Sequence, residues 1–266
     1  MSADSLSSWL ALREPLDKAA RSAALTRAIA AALPDNRPLR ILDLGGGTGS
    51  NVRYLSSRLP GPQQWLVVDR DPDLLAEVQE TRANCHVETL CRNLGSLDDP
   101  ALFSGRHLVT ASALLDLVSD QWLRALAGRC RTSRAAALFT LTYNGRSQCI
   151  PVEPEDDAIR DLMNRHQRAN DKGFGRAAGP DAVDCAERSF AAAGYQVRRE
   201  ASDWMLRPEQ DELQRQLMEG WAHAAEEMAP GQASMIHNWL ARRLAHVETG
   251  RSRVVVGHED LAAWLL

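Results

Sequence analysis

Lysine is almost missing from this 266-residue chain. Only Lys18 and Lys172 occur among its 31 basic residues, and 35 acidic residues leave a formal net charge of −4. That balance argues against a duplex-binding protein, whose phosphate contacts need a dense basic footprint; we ascribe the arginine bias to genome composition. Paired cysteines are missing too. Cys85, Cys91, Cys130, Cys149 and Cys185 form no C-x-x-C and no zinc-like Cys/His spacing, so reduced thiols in a cytoplasm are expected. No apolar run approaches the length of a membrane span: the longest, such as 135–141, are far too short. The start, MSADSLSSWL, lacks a basic, apolar leader. A membrane location and a nucleic-acid partner are therefore not expected.

What is present is an alternation. Apolar, strand-like runs fall at 40–44, 65–69, 86–90, 107–112 and 136–143, with helical patterns at 50–59, 72–82 and 119–131 between them. Strands separated by helices indicate right-handed βαβ units and a parallel sheet. Residues 5–33 read as helical, with Pro34 as a stop, and 182–193 as a helix leading into a late strand at 195–201. A last strand is expected at 253–258. Two helices, at about 209–228 and 232–247 and separated by Pro230-Gly231, interrupt the alternation and read as an insertion. One face of the first carries Leu213, Leu217, Met218 and Trp221, a stripe that suits either a capped pocket or a second subunit, so a monomer and a homodimer both remain open.

The segment RILDLGGGTGSNVRYL, residues 40–55, carries the chemistry. Gly45, Gly47 and Gly49 make G-x-G-x-G, not the G-x-G-x-x-G of dinucleotide sites; Asn51 stands about where a fingerprint glycine would be. Asp43, two residues before the first glycine, would repel a pyrophosphate and suits a cationic ligand. S-Adenosylmethionine, with a sulfonium and an ammonium, is such a ligand.

On these residues the chain resembles the class I S-adenosylmethionine-dependent methyltransferases, whose first motif DLGGGTG matches at every required position. The likeness extends over about residues 17–145. Asp69 ends the second strand about 20 residues past the loop, where an acid accepts hydrogen bonds from ribose hydroxyls, and Arg70 follows it. Asn93-Leu94 resembles the acid-Leu pair of the adenine pocket, with Asn in place of the acid. HLVTASALLDLVS resembles the fourth-strand motif, with His107 for the more usual Asp, and contributes Ser112. The resemblance implies a Rossmann-like, doubly wound, mostly parallel seven-stranded sheet with helices on both faces. It also implies an N-terminal helical segment (1–36) ahead of a methyltransferase domain (37–266), a substrate lid (151–180) and a helical insertion (207–248). Arg21, or alternatively Arg13, pairs with the methionine carboxylate in this reading. S-Adenosylhomocysteine is the implied product.

Methyl transfer is an in-line displacement, so alignment and water exclusion matter more than a strong catalytic signature. Asp116, Tyr143 and His166 are the candidate catalytic groups, His166 as first choice of base. Asn144, Gln167, Lys172 and Phe174 are the candidate acceptor contacts, the last two at the lid tip with Asp171. Trp204 and Trp221 are candidates for an aromatic wall. No N/D-P-P-Y/F follows the fourth strand and no Pro-Cys pair occurs, which disfavours nucleobase targets. Asp116 and Asn144 lack a third partner for a metal, so none is expected. A small-molecule acceptor, methylated at O, N or C, fits best. A tRNA or protein acceptor and a cofactor-binding protein without turnover are the alternatives.

Overall fold

The computed structural model describes residues 3–35, 37–80, 82–169 and 171–266. Met1, Ser2, Asn36, Thr81 and Asn170, which the expected N-terminal segment, second βα helix and lid include, lie outside the described residues. The element order is α1 (Ala3–Ala20), α2 (Ala23–Ala32), β1 (Leu39–Leu44), α3 (Ser50–Leu55), β2 (Gln63–Asp69), α4 (Pro72–Ala76), β3 (Cys85–Cys91), α5 (Pro100–Phe103), β4 (Leu108–Ser112), α6 (Asp120–Ser133), β5 (Ala136–Ile150), α7 (Asp156–Ala169), α8 (Ala182–Ala192), β6 (Gln196–Ala201), β7 (Trp204–Leu206), α9 (Asp211–Met228), α10 (Ala233–Glu248) and β8 (Arg253–Trp264).

The sheet runs β3-β2-β1-β4-β5-β8-β6, with β7 added on β8. β3, β2, β1, β4 and β5 are parallel to their neighbours, and β8 is antiparallel to β5, β6 and β7. This is a doubly wound, mostly parallel Rossmann-like sheet. It has eight strands, not the expected seven. The extra one, β7, spans three residues, too few for a periodic signal. Chain order reverses at β1, which pairs with β2 on one side and β4 on the other, and such a switch point opens a crevice beyond the strands' carboxyl ends.

The central strands are buried on both faces, as their continuous Leu, Ile and Val content dictates. One core gathers Leu42, Leu44, Val109 and Phe139 with α6 and α8; the other gathers Ile41, Val67 and Leu138 with α2 and α3. A third core joins the outer halves of β5 and β8 to α7, α9 and α10. Leu213, Met218 and Trp221 are buried there and Leu217 packs against it, so the apolar stripe of α9 is used within the chain. Trp204 and Trp221 belong to the same core.

The N-terminal helical stretch is two helices. They break at Arg21-Ser22 because Ser22 caps α2, its side chain accepting the Leu25 N–H at 3.1 Å, while its own N–H donates to Asp260 Oδ2 at 2.7 Å. Helix α4 stops at Ala76, short of the expected Arg82. Glu80 turns outward instead, accepting the Val87 N–H at 3.3 Å and pairing with His86 at 2.8 Å.

Candidate active site

The crevice is built around the β1–α3 turn. Gly45, Gly47 and Gly49 have φ of 63°, 51° and 84°, a left-handed conformation that glycine adopts without strain. Gly46 is glycine for a different reason. A Cβ there would overlap Val67 Cγ1 and come within 2.8 Å of Asp43 Oδ2. The turn therefore lies flat on the strand ends, leaving a cavity of about 330 Å³ above it, within the roughly 300–1,000 Å³ of small-ligand pockets.

Asp43, Gly45, Gly47, Asn51, Asp69, Arg70, Leu94, Ser112, Lys172 and Phe174 all line that cavity, as do Arg92, Leu114 and Leu117. Helix α1 lies across it with Leu6, Leu10, Arg13 and Asp17, residues spaced i, i+4, i+7 and i+11 and hence on one helical face. That spacing was the available signal for the cover, and the sequence reading used only its Arg13.

Asp43 is fully buried. Its Oδ1 accepts from Asn51 Nδ2 at 2.7 Å, but its Oδ2 is buried without a partner. Burial pushes its carboxyl up to about 7, against the Asn51 hydrogen bond and the Arg21 charge, which favour ionisation. Asn51 is fixed in turn by Arg21, whose Nη1 donates to Asn51 Oδ1 at 2.6 Å and whose Nη2 donates to Ser112 Oγ at 2.9 Å. Arg21 is 5% exposed and does not line the cavity. Its guanidinium is spent on holding Asn51 and Ser112, so it stands behind the wall and not at a carboxylate site. Arg13 is the arginine on the wall. Its Nε and Nη2 grip Asp17 at 2.9 and 3.2 Å, and its guanidinium stacks on Trp204 at 4.8 Å.

Asp69 Oδ2 accepts the Gly47 N–H at 2.9 Å and Oδ1 the Asp71 N–H at 3.1 Å, which fixes the carboxylate at the cavity edge with lone pairs to spare. Replacing Asp69 by Ala removes that acceptor. Affinity for S-adenosylhomocysteine should fall by roughly 10- to 100-fold, the weight of one or two charge-assisted hydrogen bonds. Calorimetry of the variant checks this, and unchanged affinity would remove the ribose assignment.

Other sequence candidates sit elsewhere. Asn93 turns its Oδ1 onto the Gly95 N–H at 2.8 Å and does not face the cavity; an Asn side chain bonding two residues ahead stabilises its own turn. His166, on the last turn of α7, pairs through Nε2 with Glu227 of α9 at 2.8 Å. It ties two helices together away from the cavity, and its helical position alone did not reveal that neighbour. Gln167 is likewise outside the cavity, its Oε1 buried without a partner. Asn144 donates to Glu259 Oε1 at 3.3 Å and lines a separate cleft with Arg168 and Arg199.

Asp116 is buried on the 3-10 turn Leu115–Leu117, between the cavity residues Leu114 and Leu117. It accepts the Tyr143 N–H, and burial pushes its carboxyl up to about 6, with Lys172 and Arg13 pulling the other way. The Tyr143 hydroxyl donates to Asn164 Oδ1 at 2.9 Å, and burial raises its phenol. His258, which the sequence did not single out, sits between Tyr143 and Trp204, with ring centroids 6.2 and 4.9 Å away. Burial lowers it to about 3, so it is neutral, and its Nδ1 hydrogen-bonds the Val256 carbonyl at 3.0 Å. His107, the departure in the fourth-strand motif, lies at the opposite end of β4, where its Nδ1 accepts the Arg40 N–H at 2.9 Å. Among the described residues no His, Cys, Asp or Glu group is arranged for a metal ion.

The residues fit a nucleoside-bearing cation. The unpartnered Asp43 oxygen answers an ammonium, the flat glycine turn leaves room beside it, and Asp69 offers acceptors to a diol. Residues 41–135 match the family model described as a methyltransferase domain. That match covers β1–β4 of the sheet, where the glycine turn and Asp69 lie. No curated protein sequence matches the chain. Solved structures similar to it include the YcgJ protein from Bacillus subtilis (14% identity, 91% of this chain and 98% of that one, TM-score 0.49). The cyclopropane synthase MmaA2 from Mycobacterium tuberculosis shares 12% identity over 90% of this chain and 82% of that one, with a TM-score of 0.47. Phosphoethanolamine N-methyltransferase 2 from Haemonchus contortus shares 14% over 90% and 52%, with a TM-score of 0.44. No described helix of the chain is long and apolar enough to cross a membrane.

Proposed function

We propose that this protein is an S-adenosylmethionine-dependent methyltransferase that acts on a small molecule reaching the donor beneath α1, and that Asp43, Asp69 and Arg13 hold the donor. The observation that carries the donor half is the buried, unpartnered Oδ2 of Asp43 beside the glycine turn. Two features support the acceptor half. The cavity is covered by α1 on one side and by residues 172–174 on the other, a covered site more suited to a small molecule than to a polymer. The net charge of −4 also disfavours a polyanion.

When bound, S-adenosylmethionine supplies a methyl group on a sulfonium that is already a good leaving group. The chain's part is then to bind, orient and keep water out. In this reading Arg13 meets the donor's carboxylate, Leu94 and Arg92 flank its base, and Leu10 and Trp9 close the roof. Asp116 serves as the acceptor-side group: its raised carboxyl, buried beside Leu114 and Leu117, takes or shares the proton of a hydroxyl or amine. Tyr143 shapes the same region through its backbone N–H, which holds Asp116.

Donor binding has a proton signature. In the empty protein Asp43 is largely protonated below about 7. An ammonium beside it favours the carboxylate, so binding releases a proton below neutrality and none well above it. Affinity for S-adenosylmethionine should rise by up to roughly tenfold per pH unit as pH approaches 7 and then level off. Calorimetry in buffers of different ionisation enthalpy reads the released proton directly. Asp43→Asn should flatten the profile, whereas a wild-type profile already flat across pH 6 to 8 (roughly the window set by the shift) would remove Asp43 from the donor site. With binding established, turnover on a panel of small hydroxylated and amino compounds tests the acceptor half. Turnover on tRNA or protein alone would overturn it.

A further inference from the structure

Residues 171–176 form a strap whose place is defined by unusually specific contacts. Its start is held by Asp171, whose Oδ1 accepts the N–H groups of Gly173, Phe174 and Gly175 at 2.8, 3.1 and 3.0 Å. From there its contacts converge on the donor side of the cavity. Arg70 Nη1 donates to the Lys172 carbonyl at 3.4 Å. Phe174 meets Trp122 edge-on at 5.9 Å, and Trp122 Nε1 donates to the Leu94 carbonyl at 2.7 Å. Lys172 and Phe174 themselves line the cavity.

Gly95 explains how the strap seats. Its φ lies outside the left-handed region, so its backbone does not call for glycine. A Cβ at this position, however, would overlap the carbonyl oxygen of Gly173. The residue has to be small because the strap lies on it.

We propose that the 171–176 strap is the closing wall of the donor cavity, with Gly95 as its seat: donor enters while the strap is lifted and is retained once Gly173 settles on Gly95. Gly95 is thus a positioning residue, acting through the strap. This rests on the donor-binding reading above, and it moves the strap from the acceptor side, where the sequence places it, to the donor side. Because bound donor contacts the seated strap, it shifts the strap's equilibrium toward the seated form, and product leaves only after the strap lifts.

The scarcity of lysine gives a clean test. A lysine-specific protease has only two sites in the whole chain, Lys18 and Lys172, and the second is exposed on the strap. When opening is fast relative to cleavage, the rate of cutting follows the population of the open form. Saturating S-adenosylhomocysteine should slow the cut after Lys172 in the full chain by at least about tenfold. In Gly95→Val the cut should stay fast with ligand present, and bound S-adenosylhomocysteine should dissociate at least about tenfold faster than from wild type. Phe174→Ala, which removes the Trp122 contact without adding bulk, should move both readouts in the same direction. If calorimetry shows the wild type saturated and the cut after Lys172 is no slower, the strap proposal fails and donor binding stands. If calorimetry shows no binding, both fall together.

Discussion

Gly47→Arg eliminates donor binding and leaves the fold standing. The N–H of Gly47 reaches Asp69 Oδ2 at 2.9 Å, so the residue sits at the join between the turn and the acid proposed to meet the ribose. A side chain here leaves the backbone toward the cavity. The nearest atom to a Cβ is Leu10 Cδ1 of the covering helix, at 3.3 Å. An arginine would extend beneath that helix into the space of about 330 Å³ that the donor needs. It would also bring a positive charge to a site arranged for a cation. The left-handed φ of 51° adds about 1–2 kcal/mol of strain for any side chain, too little to unfold a domain of this size. Affinity for S-adenosylhomocysteine should drop by more than about 100-fold, equivalent to roughly 3 kcal/mol or more. The circular dichroism spectrum should be preserved. Binding within tenfold of wild type would mean the donor does not lie over this turn.

The second large effect is on stability and lies far from the cavity. Arg243 of α10 has no exposed surface, yet it is charged. Its Nε donates to Asp156 Oδ1 at 3.0 Å, its Nη2 also pairs with Asp156, and its Nη1 donates to the Pro151 carbonyl at 2.5 Å. Trp239 Nε1 donates to the same carboxylate at 2.8 Å. Arg243→Met removes the cation from a half-closed network and leaves Asp156 and the Pro151 carbonyl short of partners. Breaking a buried pair on one side costs about 3–5 kcal/mol. At roughly 2–4 °C per kcal/mol for a chain near this size, Tm should fall by about 6–20 °C. Adding Asp156→Leu should return only part of the loss, because Trp239 Nε1 and the Glu153 N–H then lose their acceptor and the Pro151 carbonyl stays unpaired. Thermal melts of the three proteins decide this. An Arg243→Met protein as stable as wild type would show that the network carries no net stabilisation.

The parts of this molecule that local sequence rules reach are those whose causes are local. The β1 turn follows from glycines at fixed spacing after an apolar run. The capped start of α6 follows from Ser119, whose hydroxyl accepts the Trp122 N–H at 3.2 Å. Asp43 and Asp69 reach the cavity because strand ends at a switch point must. What escaped has non-local causes. The α1–α2 break depends on Ser22 meeting Asp260, 238 residues away. His166 has an ordinary place on an amphipathic helix, and only the packing of α9 against α7 shows that it faces Glu227. Arg21 has the right charge and region for a carboxylate partner, but burial against Asn51 and Ser112 takes it off the cavity wall. The seat at Gly95 needs both chain segments, about 80 residues apart, to be seen together.

The outer halves of β5 and β8 bear on how the protein comes apart. Both strands extend from the Rossmann-like sheet into the layer covered by α7, α9 and α10, with Leu138 opposite Ala262 at one end and Cys149 opposite Val254 at the other, and their register shifts between Phe139 and Thr142 and between Tyr143 and Ser147. A cap grafted through a flexible linker melts by itself. This one shares two strands with the sheet that carries the glycine turn, so loss of pairing in one layer loosens the same strands in the other. The helical cap and the donor site thus constitute one cooperative unit. Heat or denaturant should take them down in a single transition, and an excised 207–248 segment would leave behind strands with an uncovered apolar face instead of a smaller working enzyme.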